Sequence, residues 1–360
     1  MARPAGGPRQ LRWIEAARTT AMAVVVWSHS GNMAFFREGD FSAIPLFSAC
    51  LVTFAVPAFF FISGYLLGRN DLARPPEIPF QRRPARQAAR LAPPFFAWNA
   101  LTLLALKLLY GVPLLTRSSL ADMLFGAVQL YFVFVMLQFL LLLRFFNPFA
   151  TPARLRAATA WAAAATVAFH AFSAVLYYAT PPADYRFELV GIRLAPAWAG
   201  FFFLGCWLSR HEEAFAALTR RLPLLAGATA LSFAAYLWEV SAESRALGAN
   251  FRQYFLPSGL AFQVLGSLAL CAACRRAEAS GGGRLFDLLA GCGCDTLGIY
   301  LSHYVLVLAF YAACPPPVAP AWRLPLGLAA LALSWTGSLA LTRLARRASG
   351  FRLSRLLFPG

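Results

Sequence analysis

Long apolar stretches recur along the chain from residue 13 to residue 342, separated by short polar segments rich in arginine. A helix rises about 1.5 Å per residue, so about 20 apolar residues cover the hydrocarbon core of a bilayer. The pattern predicts ten spans: 13–35, 44–68, 92–110, 120–143, 157–180, 195–209, 222–238, 256–274, 288–313 and 324–342. The sixth is short and could begin earlier. No internal repeat is visible. The fold class this implies is all-α: a polytopic membrane protein of about ten transmembrane helices, forming one domain over 1–360. A short basic tail, 343–360, follows the last span.

Composition agrees. Hydrophobic residues make up 59% of the 360 and charged residues 13%, against roughly 45–50% and about 25% in soluble domains. So much apolar side chain excludes a disordered chain or an ordinary soluble enzyme. The net charge of +17 then reads as topology. Cytoplasmic loops of membrane proteins carry an excess of Lys and Arg. Twenty-three arginines fall in segments on the side of the N-terminus and seven on the other side. This bias places both termini in the cytoplasm and fits an even number of spans. Spread over six segments and without a DNA-reading motif, these arginines argue against nucleic-acid binding. The first span carries Glu15, Arg18 and His29, so it is not the apolar core of a cleavable signal peptide.

Those three residues are also the leading candidates for chemistry, because an ionisable side chain inside a span is costly and functional by default. Arg18 and His29 are eleven residues apart, which brings them to within about 20° on a helix and about 16 Å along its axis. Glu15 lies about 60° from Arg18. All three share a face that must look into protein or a water-filled cavity. The bland alternative is an interfacial i, i+3 ion pair plus a packing histidine.

The second span contains Phe59-Phe60-Phe61-Ile62-Ser63-Gly64-Tyr65-Leu66. Read blandly, Ser63-Gly64 is a small-residue contact between packed helices. The most basic loop follows, with Arg82, Arg83, Arg86 and Arg90 before Pro93-Pro94. It is either an anchor at anionic membrane lipid or a site for donor phosphates, which the forked guanidinium matches. The ninth span carries Tyr300-Leu301-Ser302-His303, and His303 alone could be structural or catalytic. Seven cysteines are present, of which Cys271-x-x-Cys274 and Cys292-x-Cys294 could be half metal sites. With no nearby His to complete four ligands, they read as apolar side chains in helices, and no metal is expected.

Together these pieces resemble the acyltransferase-3 family of integral-membrane acyltransferases. Arg18, ten residues, then His29 is similar to the family's R-x10-H signature, and Glu15 stands at its usual acidic position. Val56-Pro57-Ala58-Phe59-Phe60-Phe61-Ile62-Ser63-Gly64-Tyr65-Leu66 resembles the second-helix segment. The series Arg82-Arg83, Arg86, Arg90 and Pro93 resembles the basic loop, with looser arginine spacing than in many members. Phe202-Phe203-Leu204-Gly205 and Tyr300-Leu301-Ser302-His303 follow in the expected order. The resemblance covers nearly the whole chain. It implies about ten helices and transfer of an acyl group, commonly acetyl, from an acyl-coenzyme A donor to extracytoplasmic sugars or lipids.

On that reading His29 is the expected base, since a free imidazole has a pKa of about 6.5. Arg18 meets donor phosphates and Glu15 orients Arg18. Arg82, Arg83, Arg86, Arg90, Ser63 and His303 are the expected donor and substrate contacts. Direct transfer and an acyl-histidine relay both remain open, as do the acyl chain and the acceptor, whether polysaccharide, peptidoglycan, glycolipid, glucan or a small metabolite. The preference for arginine over lysine, with many alanines, points to GC-rich bacterial DNA and so to a bacterial inner membrane. The rival reading is a transporter or flippase of a lipid-linked saccharide. It would show inverted repeats or paired broken helices, and neither is visible in the sequence.

Overall fold

The computed structural model describes residues 11–35, 43–73, 78–114, 116–179, 190–247, 255–315, 319–348 and 357–358. Arg3, Arg9, Arg37, Arg74, Arg186, Arg252, Arg352 and Arg355, used in the topology count, lie outside them. Among the described residues there is no strand, and fourteen α-helices of nine residues or more follow one another. They are α1 (Arg12–Phe35), α2 (Ala43–Leu51), α3 (Ala55–Leu72), α4 (Arg82–Tyr110), α5 (Arg117–Phe125), α6 (Tyr131–Phe145) and α7 (Pro152–Ala179). Then come α8 (Ala195–Leu208), α9 (Glu212–Arg220), α10 (Leu222–Leu247), α11 (Pro257–Ala279), α12 (Arg284–Cys292), α13 (Thr296–Ala313) and α14 (Arg323–Arg347).

Every expected span has a helical counterpart. By length and composition seven helices can cross a membrane, including Ile44–Leu72 and Arg284–Ala313 as joined units. The other three depart for different reasons. The apolar helices α6 and α8 have 15 and 14 residues, fewer than a bilayer crossing needs. The 24-residue α1 is long enough but polar. It packs against α3, α11, α12, α13 and α14, and Arg12 is its only exposed residue, so it faces protein rather than lipid. By contrast, α10 and α14 turn large apolar side chains outward, among them Leu231, Trp238, Leu333 and Leu341.

Three expected spans are interrupted, which the sequence did not reveal. Span 44–68 divides into α2 and α3 at a 3₁₀ turn, Val52–Phe54. Span 120–143 divides into α5 and α6 around a bend where Gly126 has φ +95° and Val128 has φ +34°. Left-handed backbone is cheap for glycine and strained for a β-branched residue. Arg193 ties the bend down: its guanidinium donates to the Gly126 carbonyl at 2.9 Å and pairs with Asp122 at 2.7 Å. Span 288–313 divides into α12 and α13 at a 3₁₀ turn, Gly293–Asp295.

The tightest helix contact joins α3 to α8. A Cβ on Gly64 would collide with the Phe202 carbonyl, and one on Gly205 with the Phe61 carbonyl. Glycine at both positions lets the two backbones touch, the packing mode of membrane helices. Around this contact Phe60 stacks on Trp198 at 5.4 Å and Phe139 on Phe202 at 4.6 Å.

Ion pairs fix which helix ends share a side. Arg12 at the start of α1 pairs with Asp287 of α12 at 2.5 Å. Arg343 near the end of α14 pairs with Asp295 before α13 at 3.1 Å. Glu212 of α9 takes Arg69 of α3 at 3.3 Å and Arg275 of α11 at 2.9 Å. Arg210 after α8 pairs with Asp71 of α3 at 2.5 Å. These ends belong to one face of the bundle, as the alternation of arginine-rich segments requires.

Candidate active site

Arg82 to Arg90, read from the sequence as a loop, form the opening turns of α4. The correction matters because a helix sorts these residues by face. Arg83, Arg86, Gln87 and Arg90 follow i, i+3, i+4, i+7 spacing and point one way. They line a cavity of about 580 Å³, within the range of about 300–1,000 Å³ typical of small-molecule sites. Arg82, about 100° around the helix from Arg83, is exposed and does not line it.

The opposite wall is one stripe of α3: Phe59, Ile62, Ser63, Leu66, Leu67 and Asn70. Ser63 therefore faces the cavity while its neighbour Gly64 makes the helix contact. Arg83 reaches across to the Asn70 carbonyl, joining the two walls. Phe132, Val133 and Met136 of α6 and Thr296, Leu297 and Tyr300 of α13 form the rest, with Arg18 supplied by α1. Four guanidiniums and no carboxylate line this space. Among the described residues no acidic side chain pairs with Arg83, Arg86 or Arg90, unlike the arginines at the helix ends. A lining of this kind attracts anions.

Glu15 stands beside Arg18 at 3.6 Å and stays outside the cavity wall. Gly293 of the interrupted segment closes directly onto the Glu15 side chain. The break between α12 and α13 thus seals the first turns of α1.

His29 and His303 do not join the arginines. They form a second cluster deeper in the bundle, with ring centroids 5.3 Å apart and planes tilted by 42°. Tyr304 meets His29 edge-on at 5.0 Å. His303 is fully buried, and its Nδ1 lies 2.8 Å from the Tyr300 carbonyl and 3.1 Å from the Ile299 carbonyl. Tyr300 links the clusters, since it lines the cavity and sits one helical turn before His303. The arrangement runs from a cationic mouth, past Tyr300, to two imidazoles.

Sequence reasoning missed Gln87, Asn70, Tyr300 and Tyr304 as site residues. For Gln87 a signal existed, the helical spacing with Arg83 and Arg90. Tyr304 carried none, because its role depends on how α13 meets α1. Of the cysteines, Cys50, Cys206, Cys271 and Cys274 are buried in helices, as their apolar context suggested.

No curated protein and no solved structure matches the chain. The family described as an acyltransferase domain does, over residues 11–339, which takes in α1 to most of α14 and both clusters. With the R-x10-H pair on a helix enclosed by the bundle and the match running nearly end to end, the chain belongs to the acyltransferase-3 family of membrane acyltransferases.

Proposed function

We propose that this membrane acyltransferase takes an acyl group, most simply acetyl, from acyl-coenzyme A and places it on a hydroxyl of an extracytoplasmic saccharide or glycolipid. The observation that carries the reading is the cavity lined by Arg18, Arg83, Arg86 and Arg90 with no acidic residue. It suits the phosphates of a coenzyme A donor, whose acyl end would extend toward the histidines. The excess of arginine on this face of the bundle makes it the cytoplasmic face, where coenzyme A thioesters reside. On this proposal both termini lie in the cytoplasm, the chain crosses a bacterial inner membrane ten times, and the short helices α6 and α8 count among the crossings.

The reaction needs a proton acceptor as the hydroxyl oxygen attacks the thioester carbonyl. His29 is the acceptor on this proposal. The new C–O bond forms, the C–S bond breaks, and the proton held by His29 passes to the departing thiolate. An acyl-His29 relay would use the same residues in two steps. Ser63 and Tyr300 would contact the donor arm, and no metal takes part. The interrupted helices favour the rival reading, export of a lipid-linked saccharide, because broken helices recur in transporters; family membership weighs against it. Acetyl-coenzyme A labelled in its acetyl group, supplied to membranes with and without this protein, tests the proposal. The label should enter an envelope saccharide or lipid, identified by mass spectrometry, only when the protein is present. Transport of a saccharide without any acyl transfer would overturn it.

A further inference from the structure

A catalytic imidazole needs its ring held in one orientation and one tautomer, a task that a carboxylate performs in hydrolytic triads. Among the described residues no ion pair joins His29 to a carboxylate; Glu15 is engaged with Arg18. The group beside it is His303, with ring centroids 5.3 Å apart. Two carbonyl oxygens, of Ile299 and Tyr300, approach His303 Nδ1. A carbonyl only accepts, so Nδ1 must carry the hydrogen. In a neutral ring the other nitrogen is then a bare acceptor. That atom, Nε2, is buried and has no partner among the described residues. A buried acceptor left unpaired is costly, and in a native structure it calls for an explanation.

We propose that His303 is a positioning residue for His29. In the catalytic state the His29 ring, whose centroid lies 5.3 Å from that of His303, rotates so that its N–H is accepted by His303 Nε2 and its second nitrogen faces the acceptor hydroxyl unprotonated. The backbone of α13 thereby sets the tautomer of a side chain on α1. During transfer the hydroxyl proton moves to His29 as the C–O bond forms and the C–S bond breaks. The resulting imidazolium keeps its bond to His303. The proton then leaves with the thiolate, and His303 ends neutral as it began. Tyr304 supports the His29 ring from its edge. The inference rests on the proposed function for the identity of the donor and not for the pairing of the two rings.

The experiment compares wild type, His303→Phe, His303→Gln, His29→Ala and the double variant His29→Ala/His303→Phe. Each is purified and reconstituted with extracted envelope lipids and saccharides, and thiol release from acetyl-coenzyme A is followed. His303→Phe keeps a planar ring but loses the acceptor. It should lower kcat at least tenfold with the donor KM unchanged. His303→Gln keeps an acceptor on its side-chain amide and should recover part of that loss. The double variant should be no slower than His29→Ala alone, because a positioning residue has nothing left to position. A second arm needs no turnover. The chain has four histidines, so 15N-histidine spectra can be assigned by substitution. The His29 nitrogens should shift when His303 is replaced by Phe and return toward their wild-type positions with Gln. Wild-type kcat in folded His303→Phe, losses that multiply in the double variant, or His29 nitrogens indifferent to both replacements would overturn the pairing. Absence of acetyl-coenzyme A turnover in wild type would count against the donor assignment, and the spectra would then decide the pairing alone. Should His303→Phe fail to fold, His303→Gln and its His29 spectrum carry the decision.

Discussion

Arg18 of α1 and Arg90 of α4 line the same cavity, although the sequence places one inside the first span and the other in a loop between spans. What unites them is the extension of α4 to Arg82, which turns a run of basic residues into a helix with a functional face and an idle one. That distinction can be tested residue by residue.

Arg83→Ala, Arg86→Ala and Arg90→Ala should each raise the apparent KM for acetyl-coenzyme A severalfold, with a smaller effect on kcat. Arg82→Ala, one position away and outside the cavity, should leave donor KM at its wild-type value. A donor titration on the four variants in proteoliposomes decides. Equal effects at Arg82 and Arg83 would return the segment to a general electrostatic anchor.

His29→Ala should abolish acyl transfer while leaving assembly intact. Loss of a general base typically costs about 10²–10⁴ in rate. Turnover of purified variant, with a melting curve in detergent as the control for folding, is the measurement. A folded variant that transfers at the wild-type rate would remove His29 from the chemistry.

Arg18 and His29, about 16 Å apart along one helix face, should fail in different ways. Arg18→Ala should respond to excess donor, whereas His29→Ala should stay slow at saturation, since filling a site does not replace a base. Arg18→Lys should rescue in part, lacking the planar fork. Glu15→Gln should resemble a weaker Arg18 defect, given the 3.6 Å pair between them. An unchanged donor KM in Arg18→Ala with reduced kcat would assign Arg18 to the chemical step or the fold.

Gly64→Ala should destabilise the protein, because the added methyl meets the Phe202 carbonyl, a backbone atom that cannot swing away. Overpacking typically costs about 1–3 kcal/mol. Ser63→Ala, on the cavity face of the same helix, should melt like wild type. Thermal unfolding in detergent separates the two.

Topology reporters fused after Arg347 should read cytoplasmic and one inserted at Glu243 extracytoplasmic. The bias of twenty-three arginines to seven motivates the expectation. A cytoplasmic signal at Glu243 would break the ten-span alternation.

The sequence by itself determined the helical class and where the apolar runs lie, and it singled out the three candidates on α1. Each of those is a local property: apolar length sets a span, and a fixed angle of about 100° per residue sets a shared face. The same rule could have separated Arg82 from Arg83, but only after it was known that α4 begins before the apolar run does. Tertiary structure alone decided the rest. The left-handed bend at Gly126 and Val128 is held by Arg193, remote in sequence. Gly293 closes on Glu15, and His303 meets His29, because α12 and α13 pack against α1. Hydropathy cannot report such meetings. It records how much apolar surface a segment offers, and that surface is equally buried by lipid or by another helix. Which helices touch, and so which polar atoms are left to find one another, depends on small residues and backbone approach distributed over the whole chain.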